Sequence, residues 1–212
     1  MAYFPFITDI EDMDCLIAGG GSTALHKAGV LAEYNVNIHI VAISACDSLL
    51  KLAKNNKKID IRLRRFEDND IDGMDFVIAA TGNKELGLHI SEICKKQKIP
   101  VNVVDIKEAC SFIFPAIIHK EPLLVAVSSG GASPALAAGI KNDIKEIMPD
   151  YYSRLAKNLE KSREYVIKNT KDIKDAARKR IFEKLVMYGK EHDGEIPEDV
   201  VKYIIEEYRK QH

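Results

Sequence analysis

Three groups of residues in this chain have types and spacings suited to chemistry. Gly19-Gly20-Gly21-Ser22-Thr23-Ala24 follows the apolar run Cys15-Leu16-Ile17-Ala18, and Gly19, Gly21 and Ala24 fit the pattern G-x-G-x-x-[GA]. With a strand before it and a helix after it, that pattern is a dinucleotide fingerprint. The first glycine allows a tight turn, the second lets the backbone approach a pyrophosphate, and a small residue at 24 lets helix and strand pack closely. The N–H groups near Ser22 and Thr23 open the helix and would face the phosphate charge.

The second group centres on Asp105, which follows Asn102-Val103-Val104 at the end of an apolar strand. Ligands of doubly wound sheets bind outside the carboxyl ends of the strands, so this carboxylate would border the nicotinamide crevice. The plainer role for Asp105 is a helix N-cap for the segment starting at Ile106. Thr81 and Asn102 hold comparable strand-end positions and would line the same crevice. The third group, Ser128-Ser129-Gly130-Gly131-Ala132-Ser133-Pro134, puts hydroxyls and N–H groups at a strand-to-helix turn. Such a turn suits an anion such as a carboxylate. No His–Asp pair accompanies these serines in a triad arrangement, so a serine nucleophile is not the reading.

The cofactor's ribose is less sharply specified. NAD sites usually place Asp or Glu at the tip of the second strand, on the ribose 2′-OH. Here the tip is Ile43-Ser44; Asp47 lies three residues further on and is expected to cap the next helix. No Arg stands at that tip to receive a 2′-phosphate. The expected contacts are therefore backbone and Ser44, and this segment leaves NAD and NADP undecided.

The elements that must position these groups alternate. Strands are expected at 14–18, 38–43, 59–63, 76–80 and 101–104, with helices at 22–34, 48–54 and 85–96 between them. Apolar strands separated by helices predict a parallel sheet covered on both faces, and the glycine turn makes it Rossmann-type. After Asp105 the pattern changes. Residues 112–118 and 123–127 are apolar runs joined by His119-Lys120-Glu121-Pro122, read as a hairpin or neighbouring strands. Ser133 suits an N-cap and Pro134 the first position of a helix running to about Met148. Beyond Pro149 the chain reads as two to four helices, broken near Asn169-Thr170 and Asp193-Gly194, with Pro197 starting the last. The fold class is thus α/β: a Rossmann-type parallel sheet over 1–111, a small α+β dimerisation region over 112–148, and a C-terminal helical domain over 149–212.

Bulk properties exclude several classes. The 212 residues are 46% hydrophobic and 30% charged, with formal net charge −1. No global field favours nucleic acid or an anionic membrane. Residues 150–212 carry 15 Lys/Arg against 13 Asp/Glu, a near-balance that argues against a DNA-binding patch. No apolar run approaches the roughly 20 residues needed to span a bilayer. The start, Met1-Ala2-Tyr3-Phe4-Pro5-Phe6, lacks the pattern of a signal peptide, so the expected location is the cytoplasm. Cys15, Cys46, Cys94 and Cys110 are too scattered for a zinc site or a disulfide framework and read as small core residues. His26, His39, His89, His119, His192 and His212 do not cluster either, so no fixed metal site is expected.

Taken in order, these segments resemble the precorrin-2 dehydrogenase family, the siroheme synthase N-terminal module. The resemblance covers roughly residues 3–150. It runs through Pro5-Phe6, Asp14 to Gly21, Lys27-Ala28, Ala79-Ala80-Thr81, Asn102 to Asp105, Ser111 to Ala116 and Val125 to Pro134. It implies a homodimer with its active site near the domain junction. The implied reaction is oxidation of precorrin-2 to sirohydrochlorin with NAD+ as hydride acceptor. Some members also take Fe2+ as a substrate and insert it to give siroheme.

The residue matching Asp105 is the one associated with catalysis, and cofactor contacts map onto Ser22, Thr23, Ile43 and Ser44. Ser128 matches a serine linked in some members to phosphorylation. The family's usual Arg before Lys27-Ala28 is His26 here. The methyltransferase half of fused siroheme synthases has no counterpart, which predicts that a separate enzyme supplies precorrin-2.

The substrate's many carboxylates need cationic or N–H partners. Lys107, His119, Lys120, Lys141 and the turn formed by Ser128, Ser129, Gly130, Gly131 and Ser133 are candidates. Two alternatives stand beside this reading. One is a dehydrogenase without chelatase activity. The other is a non-catalytic NAD-binding redox sensor, against which the balanced tail and Asp105 both count.

Overall fold

A computed structural model gives the fold for residues 3–211; Met1, Ala2 and His212 lie outside the described residues. The chain divides into two compact units, with the boundary between Phe114 and Pro115. The first unit alternates strand and helix: β1 (Asp14–Ala18), α1 (Ser22–Ala32), β2 (Asn37–Ala42), α2 (Asp47–Asn55), β3 (Ile59–Leu63), β4 (Phe76–Ala79), α3 (Lys84–Gln97) and β5 (Val101–Val103). All pairings are parallel and the order is β3-β2-β1-β4-β5. The order reverses between β1 and β4, so a ligand crevice belongs at the carboxyl ends of these two strands.

Alternation along the strands builds the two cores. Cys15 and Ile17 of β1 join Ile38, Ile40, Ala24, Ala28 and Leu31 on one face. Leu16 and Ala18 join Val77, Ala79, Ile90, Val101 and Val103 on the other. Successive side chains of a strand point to opposite faces, so a fully apolar strand serves both layers. Cys15, Cys94 and Cys110 are buried free thiols, and burial pushes Cys94 up to about 11.

Three details differ from the sequence-based expectation. Asp47 is the first residue of α2, and Cys46 holds the cap position without a side-chain cap. The Cys46 N–H donates to Gly20 O (2.9 Å), which holds Cys46 extended at the cap position, so the helix starts one residue earlier than expected. Phe112 and Phe114 belong to the first unit, where they pack on the β1–β2 face; Phe112 stands edge-on to Phe76 at 6.1 Å between ring centroids. The apolar run from 112 is therefore split: its aromatic start covers the sheet, and only its end enters a hairpin. Finally, His119 and Lys120 lie within a strand, leaving Glu121-Pro122 as the turn.

The second unit begins with that hairpin, β6 (Ala116–Lys120) antiparallel to β7 (Leu123–Val127), followed by α4 (Pro134–Ile147). Ser133 caps α4, accepting from Leu136 N–H (3.2 Å), and Pro134 takes the first helical position. Three helices complete it: α5 (Tyr151–Asn169), α6 (Asp175–Glu191) and α7 (Glu198–Gln211). They meet over Leu155, Val166, Ile181, Leu185, Val201 and Ile205. Among the described residues no helix is long and apolar enough to cross a membrane.

Candidate functional site

A crevice of about 1070 Å³ opens at the carboxyl ends of the parallel strands. Its floor is the glycine turn. Gly19 has φ 128°, and a Cβ placed on it would lie 2.1 Å from Ala80 O. A Cβ on Gly20 would lie 2.1 Å from Ser44 O. The turn is wedged between the tips of β4 and β2, backbone against backbone. Gly21 is different: a Cβ there would meet nothing within 4 Å.

Gly21 is also the residue before α1, with no side-chain cap on that helix and no acidic residue in its first turn. The first intrahelical bond runs from Leu25 N–H to Gly21 O (3.0 Å). The N–H groups of Ser22 and Thr23 have no carbonyl ahead of them in the helix. Both residues are exposed on the crevice wall, while Ala24 is buried against the sheet. This is a donor-lined, positively polarised cradle for an anion.

β2 ends at Ala42, one residue short of the expected boundary, so Ile43 and Ser44 both lie just past it, and both line the crevice. Ile43 is 75% exposed, an apolar wall suited to a planar ring. Thr81 lines the crevice beside β4, but its hydroxyl is committed: it donates to Asn83 O (2.9 Å) and accepts from Asn83 N–H (3.1 Å). Asn102 is not on the crevice wall. It is buried, and its amide donates to Phe112 O (3.0 Å) and toward Cys110 Sγ (3.6 Å). The pleat is the reason: Val103 faces the crevice, so Asn102 must face the other way.

Asp105 is exposed on the crevice wall with φ 63°, a left-handed conformation uncommon outside glycine. It is not a helix cap. Ile106 precedes the short 3-10 turn Lys107–Ala109, which has no side-chain cap. Among the described residues the Asp105 carboxylate has no hydrogen-bond or ion-pair partner.

Sequence reading missed one wall. Arg64, Arg65 and Phe66 line the same crevice. They follow β3, and β3 lies beside β2, so the chain leaving β3 arrives next to the β2 tip. The Arg-Arg pair directly after a strand was a visible signal, but its place depended on strand order. Arg64 grips Asp70 through both guanidinium nitrogens and donates to Arg65 O (2.9 Å). That contact holds the Asp70 carboxyl below the usual carboxylate range and raises Arg64. Arg64 and Arg65 thus stand on the β2–β3 side of the crevice, and Lys84, Glu85, Asp105 and Glu108 stand on the β4–β5 side.

In the second unit, the turn from Ser128 to Ser133 is largely self-satisfied. Gly130 N–H donates to Ser128 Oγ (3.1 Å) and Ser133 N–H to Ser129 Oγ (2.9 Å), while Ser129 Oγ donates to Ser133 O (3.0 Å). Gly130 and Gly131 have φ 63° and 80°. Ser128 and Ser133 keep hydroxyl protons to offer, whereas Ser129 has spent its own. Of the proposed cationic partners, Lys120 pairs with Asp150 (2.5 Å) and Lys107 lies 6.0 Å from the Tyr3 ring centroid.

Comparison with known proteins adds to this geometry. A family model described as putative NAD(P)-binding matches residues 6–116, and one described as sirohaem biosynthesis protein central matches residues 120–147. A siroheme synthase of Thioalkalivibrio sulfidiphilus is 40% identical over 187 residues, which are 88% of this chain and 37% of that protein. A siroheme synthase of Pseudoalteromonas atlantica is 31% identical over 202 residues, 95% of this chain and 42% of that one. The chain thus spans well under half the length of the curated relatives it matches. The solved structure of SirC, precorrin-2 dehydrogenase, superposes with a TM-score of 0.69 at 17% identity, covering 98% of this chain and 100% of that one. At that identity the likeness speaks for the fold alone.

Proposed function

The chain belongs to the family of the siroheme synthase N-terminal module, an NAD(P)-binding domain followed by the sirohaem central region, and we propose that it oxidises precorrin-2 to sirohydrochlorin. The observation that carries this reading is the unpartnered Asp105 carboxylate, held on the wall of a crevice whose floor is a donor-lined glycine turn. Gly19 and Gly20 keep the turn tight, and Gly21, Ser22 and Thr23 receive the pyrophosphate. Ile43 and Ser44 contact the adenosine, and Thr81 lines the path toward β5. NAD+ is the nucleotide we assign, and when bound it accepts the hydride that leaves the tetrapyrrole.

Loss of hydride must be matched by loss of a proton. Asp105 takes that proton, since a carboxylate without an internal partner is free to accept one. The same carboxylate serves Fe2+ insertion, which releases two pyrrole protons. In the second unit, Ser128, Gly131 and Ser133 offer donors to substrate carboxylates.

We further propose a homodimer built on 112–148, of which 115–148 lie in the second unit. Leu136, Ile140 and Ile147 recur along α4 and are 55%, 39% and 79% exposed, apolar surface that a two-fold partner would cover. Light scattering showing a stable monomer at micromolar concentration would reject it. A cytoplasmic location is consistent with four free thiols.

The test of function is anaerobic incubation with precorrin-2 and NAD+, then Fe2+, following the absorbance of sirohydrochlorin and of siroheme. Asp105→Ala should lower oxidation by about 10²-fold or more while NAD+ affinity changes little. Near-normal oxidation by this variant would remove Asp105 from the chemistry. Lost oxidation with intact chelation would separate the two proton acceptors.

A further inference from the structure

We propose that Asn102 and Cys110 are positioning residues: together they form a side-chain clasp that holds the Asp105 turn in its crevice-facing conformation. The inference rests on the reading of Asp105 as the proton acceptor.

The need for a clasp follows from the topology. Strand β5 is short and lies at the edge of the sheet, pairing only with β4. Beyond it the chain must turn at Asp105 in a left-handed conformation, which costs a residue with a Cβ something, though aspartate less than most. The turn closes on itself through Ile106 N–H, which donates to Val103 O (3.3 Å), but the sheet ladder reaches it only at Val104 N–H, which donates to Ala79 O (3.0 Å). The segment after the turn fixes where it sits against the strand.

The chain doubles back through Lys107–Ala109 and returns along the free edge of β5, where Ser111 N–H donates to Val101 O (2.8 Å). Side chains then fasten it. Ser111 Oγ accepts from Val101 N–H (2.7 Å), and Ser91 Oγ donates to Ala109 O (2.6 Å). Asn102 reaches across to Phe112 O and toward Cys110 Sγ.

Cys110 makes the closest approach to the turn itself. Its buried sulfur accepts from Val103 N–H (3.2 Å) and lies 3.2 Å from Val103 O and 3.3 Å from Ile106 O. Only Val104 and Asp105 separate those two anchor residues. The thiol therefore bridges the base of the two-residue loop that carries the carboxylate. A thiol is fitted to this because it donates and accepts weakly, without bringing a charge next to Asp105. Burial pushes the Cys110 thiol up, so it keeps the proton it donates.

The test separates positioning from folding. In the full-length protein, Cys110→Ala should lower kcat by about 10-fold or more, the scale of a displaced catalytic group, with KM for NAD+ and for precorrin-2 little changed. Cys110→Ser, which restores a donor and acceptor, should recover most of the loss. In an Asp105→Asn background Cys110→Ala should cost nothing further, because the group it positions is already gone. Should Cys110→Ala not fold, Asn102→Ala makes the same comparison from the other half of the clasp. An unchanged kcat in a folded variant, failure of serine to rescue, or an equal loss in both backgrounds would overturn the proposal. A wild-type rate for Asp105→Asn alone would overturn the base assignment, and is seen before the clasp is touched.

Discussion

Two strand-to-helix glycine turns, Gly19–Gly21 in the first unit and Ser128–Ser133 in the second, are held by different atoms. At Gly19–Gly21, backbone presses on backbone: the places where side chains would begin are filled by Ala80 O and Ser44 O. At Ser128–Ser133, hydroxyls tie the loop to itself, and a Cβ on Gly130 would meet nothing within 4 Å. The first turn spends no side-chain group on its own shape and leaves N–H groups at Ser22 and Thr23 to face a ligand. The second spends most of its donors internally. A turn built by close packing is intolerant of substitution but free to bind; a turn built by hydrogen bonds has the opposite character.

The largest effect should come from breaking the packed turn. Gly19→Ala puts a methyl onto Ala80 O at positive φ and should destabilise the first unit by about 3 kcal/mol or more, read from urea titration. A stability near that of the parent would mean that the β1–β4 junction relaxes easily, and the contrast between the turns would fall.

Gly21→Asp tests the same turn where space is open. The variant should fold normally and bind NAD+ about 10²-fold more weakly by calorimetry, because a carboxylate would face the phosphates. Unchanged affinity would move the pyrophosphate off this cradle. At the hydrogen-bonded turn, Ser133→Ala removes the α4 cap and should cost about 1 kcal/mol, with NAD+ affinity unaltered.

Acid should distinguish the two regions most gently. The crevice wall facing the first turn is tied by Arg64–Asp70, whereas the second turn is tied by neutral groups. Folding lowers the Asp70 pKa, chiefly through its hydrogen bond to Arg64. Its stabilisation is therefore full above the unfolded aspartate value of about 3.9 and is lost as pH falls through the lower folded value. The stability gap between the parent and Asp70→Asn should close in that acid range, and the gap for Ser133→Ala should not. A pH-independent gap for Asp70→Asn would show that the pair acts by packing.

Much of this is legible in the sequence. Strand–helix alternation, the glycine fingerprint, the Ser133-Pro134 helix start and the breaks near 169 and 193 all depend on local pattern, and they recur in the fold. What was misread depended on neighbours distant in sequence. Asp47 looked like a cap because a cap is a local idea, but Gly20 O holds Cys46 and moves the helix start. Phe112 and Phe114 looked like strand residues, yet the open face of the first sheet takes them.

The Rossmann-type alternation, the glycines where backbones must touch and the aspartate just past a strand are all written in local sequence. These follow from side-chain period and backbone freedom, which are properties of short segments. Which residues share the crevice depends instead on how the strands pair and pleat. Strand order carried Arg64 and Arg65 to the β2 tip, although Arg64 lies 20 positions after Ser44 in the chain. The pleat turned Asn102 away and left Val103 facing in. The returning segment at Cys110 then fastened the Asp105 turn from behind. Proximity of that kind is set by pairing and packing between segments, and no short stretch of sequence encodes it.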